Sequence, residues 1–166
     1  LEPHEARHAA GAAPHRHIGV IERLEQHHLV AGLEQRQQRA GERLRRAGVG
    51  GEWGAVEHLA HLLDFDQVSL ERVERILSED EPEIEEFDTD VRAIELNYHA
   101  QDPFATLDKL RAARMRLVDR LAALPDEAWQ RTAMHPEFGR ITLEELVERI
   151  DAHDAEHVHA LKDLVL

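Results

Sequence analysis

His153 and His157 stand four residues apart in the last stretch of the chain, among apolar residues that recur at helical spacing: Leu143, Leu146, Val147, Ile150, Leu161 and Leu164. Both histidines fall on that apolar stripe. Residues four apart on a helix share a face, with Cβ atoms about 5–6 Å apart. Two imidazoles so placed can reach one divalent ion at about 2.0–2.1 Å from each nitrogen. A lone inward histidine is more often a hydrogen-bonded core residue, but two in register make a metal site the sharper reading. His159 points away from this face by helical phase. Other nucleophiles are scarce: there is no cysteine, and serine occurs only at Ser69 and Ser78. A nucleophile carried by a metal ion therefore gains weight over one carried by a side chain.

A third ligand is needed, and the stretch 53–77 offers two. His61 shares a helical face with Trp53, Glu57, Asp64 and Val68, whereas His58 lies with Leu62 and Phe65. Periodicity leaves both open. His4, His8, His15, His17, His27 and His28 sit in polar or weakly patterned sequence and read as solvated. His99 reads as loop surface. His135, in His135-Pro136-Glu137-Phe138-Gly139, reads as a turn residue or as one facing the site from its loop.

The elements that must carry these residues are helical. Residues 1–14 read as a loose tail, and 15–166 as one domain. A weak stripe (Ile18, Ile21, Leu24, Leu29, Leu33, Ala40, Leu44) predicts a first helix over 15–47, polar all round at Glu34–Arg39, ending at a flexible break of Gly48, Gly50 and Gly51. Val56, Leu59, Leu63, Leu70, Val73 and Leu77 predict a stronger helix over 53–77. Residues 78–102 read as a solvated acidic crossover, with a short helix near Val91–Tyr98. Pro103 suits a helix start, and Phe104, Leu107, Leu110, Val118, Leu121 and Leu124 continue it to Pro125. Residues 126–141 read as a helical turn and a loop, with no strand expected. Thr142-Leu143-Glu144-Glu145 is a capping box opening the last helix. Four amphipathic helices with one long connection predict an all-α four-helix bundle.

Composition narrows the partners. A net charge of −14 repels phosphate backbones, and 4% aromatic content cannot build a base-stacking platform, so nucleic acid is not expected. No apolar run reaches the roughly 18 residues of a membrane span. No leader pattern is read at the start of the sequence. Lack of cysteine fits a reducing cytoplasm. A small-molecule substrate is expected, and a homodimer is allowed.

Four motifs in order resemble the DinB/YfiT-like superfamily. Trp53-Gly-Ala-Val-Glu57-His-Leu-Ala-His61-Leu62, followed by Asp64, is similar to its second-helix signature. Phe87-Asp88 ahead of the Asp102-Pro103 helix start resembles its middle segment. His135-Pro136-Glu137-Phe138-Gly139 resembles its HPxxG loop, and His153-Asp-Ala-Glu-His157 its closing helix. The resemblance covers about residues 53–164. Residues 15–52 lack the Trp/Arg-Pro turn that usually follows the family's first helix. On this register the resemblance implies a divalent-metal site of His61, His153 and His157, with zinc or nickel suited to nitrogen ligands. Glu57, Asp64 and His135 are then candidates for the surroundings of the ion, Glu57 as a carboxylate orienting His61. The family's chemistry includes transfer to low-molecular-weight thiols and hydrolysis. The resemblance thus implies an enzyme activating a thiol cosubstrate or water. A non-catalytic bundle binding metal or a small ligand, and a purely structural bundle, remain as alternatives.

Overall fold

The computed structural model describes Leu44 and residues 52–165. The expected tail, the glycine break and the first helix apart from Leu44 lie outside the described residues. Leu44 itself is helical and 1% exposed. The described elements are α1 (Ala55–Ser78), α2 (Thr89–Glu95), a 3-10 turn (Tyr98–Ala100), α3 (Pro103–Ala122), a second 3-10 turn (Asp126–Gln130), β1 (Thr132–His135), β2 (Gly139–Thr142) and α4 (Leu143–Val165).

Each long helix starts where its sequence supplies a cap. At α1 the Gly54 N–H donates to the Glu57 carboxylate at 3.1 Å. At α3 the Asp102 carboxylate accepts from the N–H groups of Phe104 and Ala105, at 3.1 and 2.9 Å, with Pro103 in the first turn where no N–H is missed. At α4 the box closes both ways: the Glu145 N–H donates to the Thr142 hydroxyl at 3.1 Å, and the Thr142 N–H to the Glu145 carboxylate at 2.8 Å.

α1 packs against both α3 and α4. The apolar interior forms two clusters. One gathers Val73 and Ile76 of α1, Leu117 and Leu121 of α3, and Leu143, Val147 and Ile150 of α4 around Trp129. The other gathers Leu59 and Leu63 of α1, Leu107 and Leu110 of α3, and Leu161 of α4 around Leu44. Along all three helices a buried charge falls between the two clusters: Asp66, Arg114 and Asp154. The Arg114 guanidinium pairs with Asp66 at 2.6 Å and with Asp154, so the layer is a bridge across three helices.

The segment 126–141 departs from the expected turn and loop. β1 and β2 form an antiparallel hairpin in register from Thr132↔Thr142 to His135↔Gly139. Four residues per strand are too few for alternation to show in a sequence. Gly139 turns the hairpin with φ +71°, a left-handed conformation that favours glycine. The acidic crossover is fastened to the hairpin: the Met134 N–H donates to the Pro82 carbonyl at 2.9 Å, and the Ile84 N–H to the Met134 carbonyl at 2.8 Å. Its acids from Glu79 to Asp90 face solvent while Ile84 is buried. Among the described residues no helix is long and apolar enough to cross a membrane.

Candidate metal centre

α1 and α4 run antiparallel and bring the histidines of both to one place. His61 Nε2 lies 2.9 Å from His153 Nε2, and His157 Nε2 lies 3.1 Å from His153 Nε2. Ligand atoms of His61, His153 and His157 all lie within 4.8 Å of one another. His58 joins them from the next face of α1, its Nδ1 2.9 Å from His157 Nδ1. His157 is therefore held at both ring nitrogens. Trp53 stacks on His157 at 6.2 Å between centroids, and Phe65 stacks on His153 at 4.0 Å. These rings wall the cluster with apolar surface.

Burial sets the charge state. It pushes the His61 ring down to about 3, helped by the charges of His157, His153 and His58. The same causes, burial first and then His153 and His58, bring His157 down to about 4. Burial also lowers His58, outweighing the nearby Glu57 carboxylate. Neutral imidazoles are the form a cation needs as ligands.

The donors suit a divalent ion. Nitrogens at about 2.0–2.1 Å from a tetrahedral centre stand about 3.3 Å apart, close to the spacings seen. All three Nε2 atoms face one another, and a neutral ring can donate through only one nitrogen. His61 Nδ1 and His153 Nδ1 are buried with no hydrogen-bond partner among the described residues. His153 Nδ1 lies 3.8 Å from the Asp154 carboxylate, whose proton affinity burial raises but Arg114 and His153 bring down overall.

Beside the cluster opens a cavity of about 630 Å3, walled by His61, Phe65, Phe87, His153 and the hairpin residues His135 and Phe138. The hairpin thus forms one side of the site, which a reading of 126–141 as plain loop does not bring out. Of the residues expected around the ion, His135 lines the cavity; its Nδ1 accepts from the Glu137 N–H at 3.2 Å. Glu57 does not orient His61: its carboxylate is engaged by the Gly54 N–H at the start of α1. Asp64 turns away from the cavity. It accepts from Arg92 at 2.6 and 2.5 Å and from the Tyr98 hydroxyl at 2.5 Å, tying α1 to the crossover. Helical phase explains this: Asp64 is three residues from His61, while Phe65, four residues on, stays on the metal-facing side. Arg72, Arg149 and Glu156 also line the cavity and were not singled out by spacing.

The sequence matches the family model described as "DinB superfamily" over residues 16–161. The chain belongs to the DinB superfamily. A solved structure, YfiT from Bacillus subtilis, superposes with a TM-score of 0.78 at 23% identity, covering 99% of this chain and 91% of that one. YfiT is described as a probable metal-dependent hydrolase with an unusual four-helix bundle topology. At that identity the likeness establishes the fold, a DinB-type four-helix bundle, which in this chain carries a small two-stranded sheet. No curated protein matches the sequence.

Proposed function

We propose that this DinB protein is a divalent-metal-dependent hydrolase of a small molecule, with His61, His153 and His157 holding the ion through Nε2. The observation that carries this reading is the convergence of three imidazoles, two of which, His61 and His153, line a cavity large enough for a substrate. Three protein ligands leave coordination positions open, the mark of a catalytic rather than a structural site. When bound, zinc or nickel supplies Lewis-acid polarisation and lowers the pKa of water toward about 7. The description of YfiT as a probable metal-dependent hydrolase supports the same class.

The chain's own residues do the rest. His58 fixes the ring of His157 through its Nδ1, Trp53 stacks on that same ring, and Phe65 stacks on the ring of His153. Phe87 and Phe138 give the cavity apolar walls that exclude water from the substrate body. Glu156 lines the cavity three residues after His153, and its carboxylate takes the proton from the attacking nucleophile. A deprotonating carboxylate in the cavity is what favours water over a thiol, which needs no dedicated base.

The test is a screen of small esters and amides with zinc- or nickel-loaded protein, with and without chelator. Chelator-sensitive hydrolysis lost in His157→Ala is the expected result. Turnover that requires an added low-molecular-weight thiol would redirect the reading to S-transfer. Activity untouched by chelator and substitution would end the metal-dependent reading altogether.

A further inference from the structure

The far end of the cavity holds a buried arginine with no carboxylate bonded to it among the described residues. Arg72 is 8% exposed, lies on α1 and lines the same cavity as His61. Eleven residues separate it from His61, three helical turns, which keeps both on one face about 16 Å apart along the axis. Its Nη2 donates to the Glu85 carbonyl at 2.7 Å. Among the described residues it forms no ion pair with a carboxylate. The contrast with Arg114 and Arg92 is sharp: each of those is bonded to buried aspartate. In a chain with 34 acidic residues against 20 basic ones, a buried guanidinium paired only with a carbonyl is costly unless something else completes it. Two further groups line the cavity between Arg72 and the histidines. Arg149 lines the cavity one turn before His153, its guanidinium 3.6 Å from the centre of the Phe138 ring. His135 lies close enough to feel the charges of both arginines. Because its Nδ1 accepts from Glu137, its neutral ring carries the proton on Nε2 and is a donor.

We infer that Arg72, assisted by Arg149 and His135, is a recognition site for a carboxylate on the substrate, held at the opposite end of the cavity from the histidine cluster. The substrate class is then a small monoanion with an apolar, aromatic-sized body between its carboxylate and the bond that reacts. Phe65, Phe87 and Phe138 face that body. A monoanion is favoured over a phosphate dianion because the three carboxylates on the wall, Glu86, Glu137 and Glu156, outnumber its two guanidiniums and oppose a second negative charge. A planar carboxylate also matches the guanidinium fork in two parallel hydrogen bonds. This assignment deepens the hydrolase reading and rests on it for the word substrate, but the anion site itself can be tested separately.

The probe is hydrocinnamate against its neutral amide, hydrocinnamide, titrated by calorimetry and NMR into the full chain, both zinc-loaded and zinc-stripped. Hydrocinnamate is expected to bind at least about tenfold more tightly than the amide, the scale of a hydrogen bond to a charged group. The preference should persist in stripped protein and disappear in Arg72→Gln. If that variant does not fold, the wild-type Arg72 Nε–H resonance is the readout: it should move with hydrocinnamate and stay with hydrocinnamide. Equal binding of the two, no binding of hydrocinnamate at tens of millimolar, or a still Arg72 resonance overturns the inference. A preference that vanishes on stripping also overturns it, since the carboxylate would then be a metal ligand. A protein that keeps the preference yet binds no zinc supports the anion site and sinks the metal reading instead.

Discussion

His61 Nε2 lies 2.9 Å from His153 Nε2, although 92 residues separate them in the chain. Either an Nε2–H of one ring donates to the other ring, or a cation sits between the two nitrogens. An ion that binds this arrangement and not the unfolded chain stabilises the fold by mass action. Zinc added to stripped protein at a hundred times its dissociation constant should raise stability by about 2.7 kcal/mol. Calorimetric melting checks it, and His153→Ala should melt at one temperature with or without zinc. An equal gain in that variant would locate the bound zinc elsewhere, the histidine-rich residues before Leu29 being the obvious place.

Metal-free protein should show two histidine rings that resist acid. His61 and His157 are brought to about 3 and about 4 by burial and by neighbouring histidine charge. An NMR titration should find these rings neutral well below pH 5. The linkage sign follows: the unfolded chain takes up protons on these rings near 6.5 while the folded chain does not. Their contribution is therefore complete above about pH 6.5 and is lost as pH falls toward 4 and 3. Asp66 works the other way. Burial pushes it up to about 7, so its contribution is full below about 3.8 and lost as pH rises through 7. Replacing Asp66 with Asn should steepen the net acid destabilisation. A stripped protein in which both rings titrate at 6.5 would contradict the buried, converged geometry.

The charged layer between the apolar clusters makes a separate prediction. Arg114 is nearly buried between Asp66 and Asp154, whose side chains are 0% and 2% exposed. Removing the cation leaves two carboxylates without their partner, so Arg114→Met should cost about 3–5 kcal/mol in a denaturant melt. Asp66→Asn should cost less than Asp154→Asn, because burial raises the Asp66 carboxyl to about 7 whereas, against burial, His153 and Arg114 hold Asp154 below its usual range. Comparable losses in the two Asn variants would show that the layer shares its charge evenly.

His58 should affect metal binding without being a ligand. Its Nδ1 sits 2.9 Å from His157 Nδ1, on the side of the ring opposite the cluster. Partners of this kind fix the ring and its tautomer, and their loss typically costs about 10–100-fold in metal affinity. His58→Ala should weaken zinc binding on that scale, measured by competition with a chromophoric chelator, while His61→Ala should remove it. Equal losses would make His58 a fourth ligand.

The sequence carried most of this arrangement, for reasons visible in single residues. His153 and His157 lie on one α4 face because helical period depends only on local spacing, and Thr142 with Glu145 marks the helix start for the same local reason. The choice between His58 and His61 was not local: both approach His157, at different ring nitrogens, and only the antiparallel packing of α1 on α4 distinguishes them. Glu57 and Asp64 share a sequence face with His61, yet one serves the helix start and the other a residue of the crossover, partners that helical phase does not reveal. The hairpin escaped because four-residue strands carry no usable alternation, and with it went the wall that His135 and Phe138 form. Arg72 looks like any helix-surface arginine until its burial and its lack of a described carboxylate partner are seen together.

Glu156 offers the sharpest division between catalysis and binding. It lines the cavity with His153 yet is not among the converged histidine donors, so its loss should leave zinc affinity within about threefold of wild type, a shift under 1 kcal/mol. A proton acceptor acting in the transition state typically contributes about 10²–10⁴-fold to rate. Glu156→Gln preserves size and removes the basic lone pairs, so kcat for a hydrolysed substrate should fall on that scale with KM little changed. Glu156→Asp should recover part of the rate, as a shortened carboxylate can still accept the proton. A KM that rises at constant kcat would instead make Glu156 a substrate contact, and an unchanged kcat would place the base elsewhere in the cavity, with Glu86 and Glu137 the remaining carboxylates on its wall.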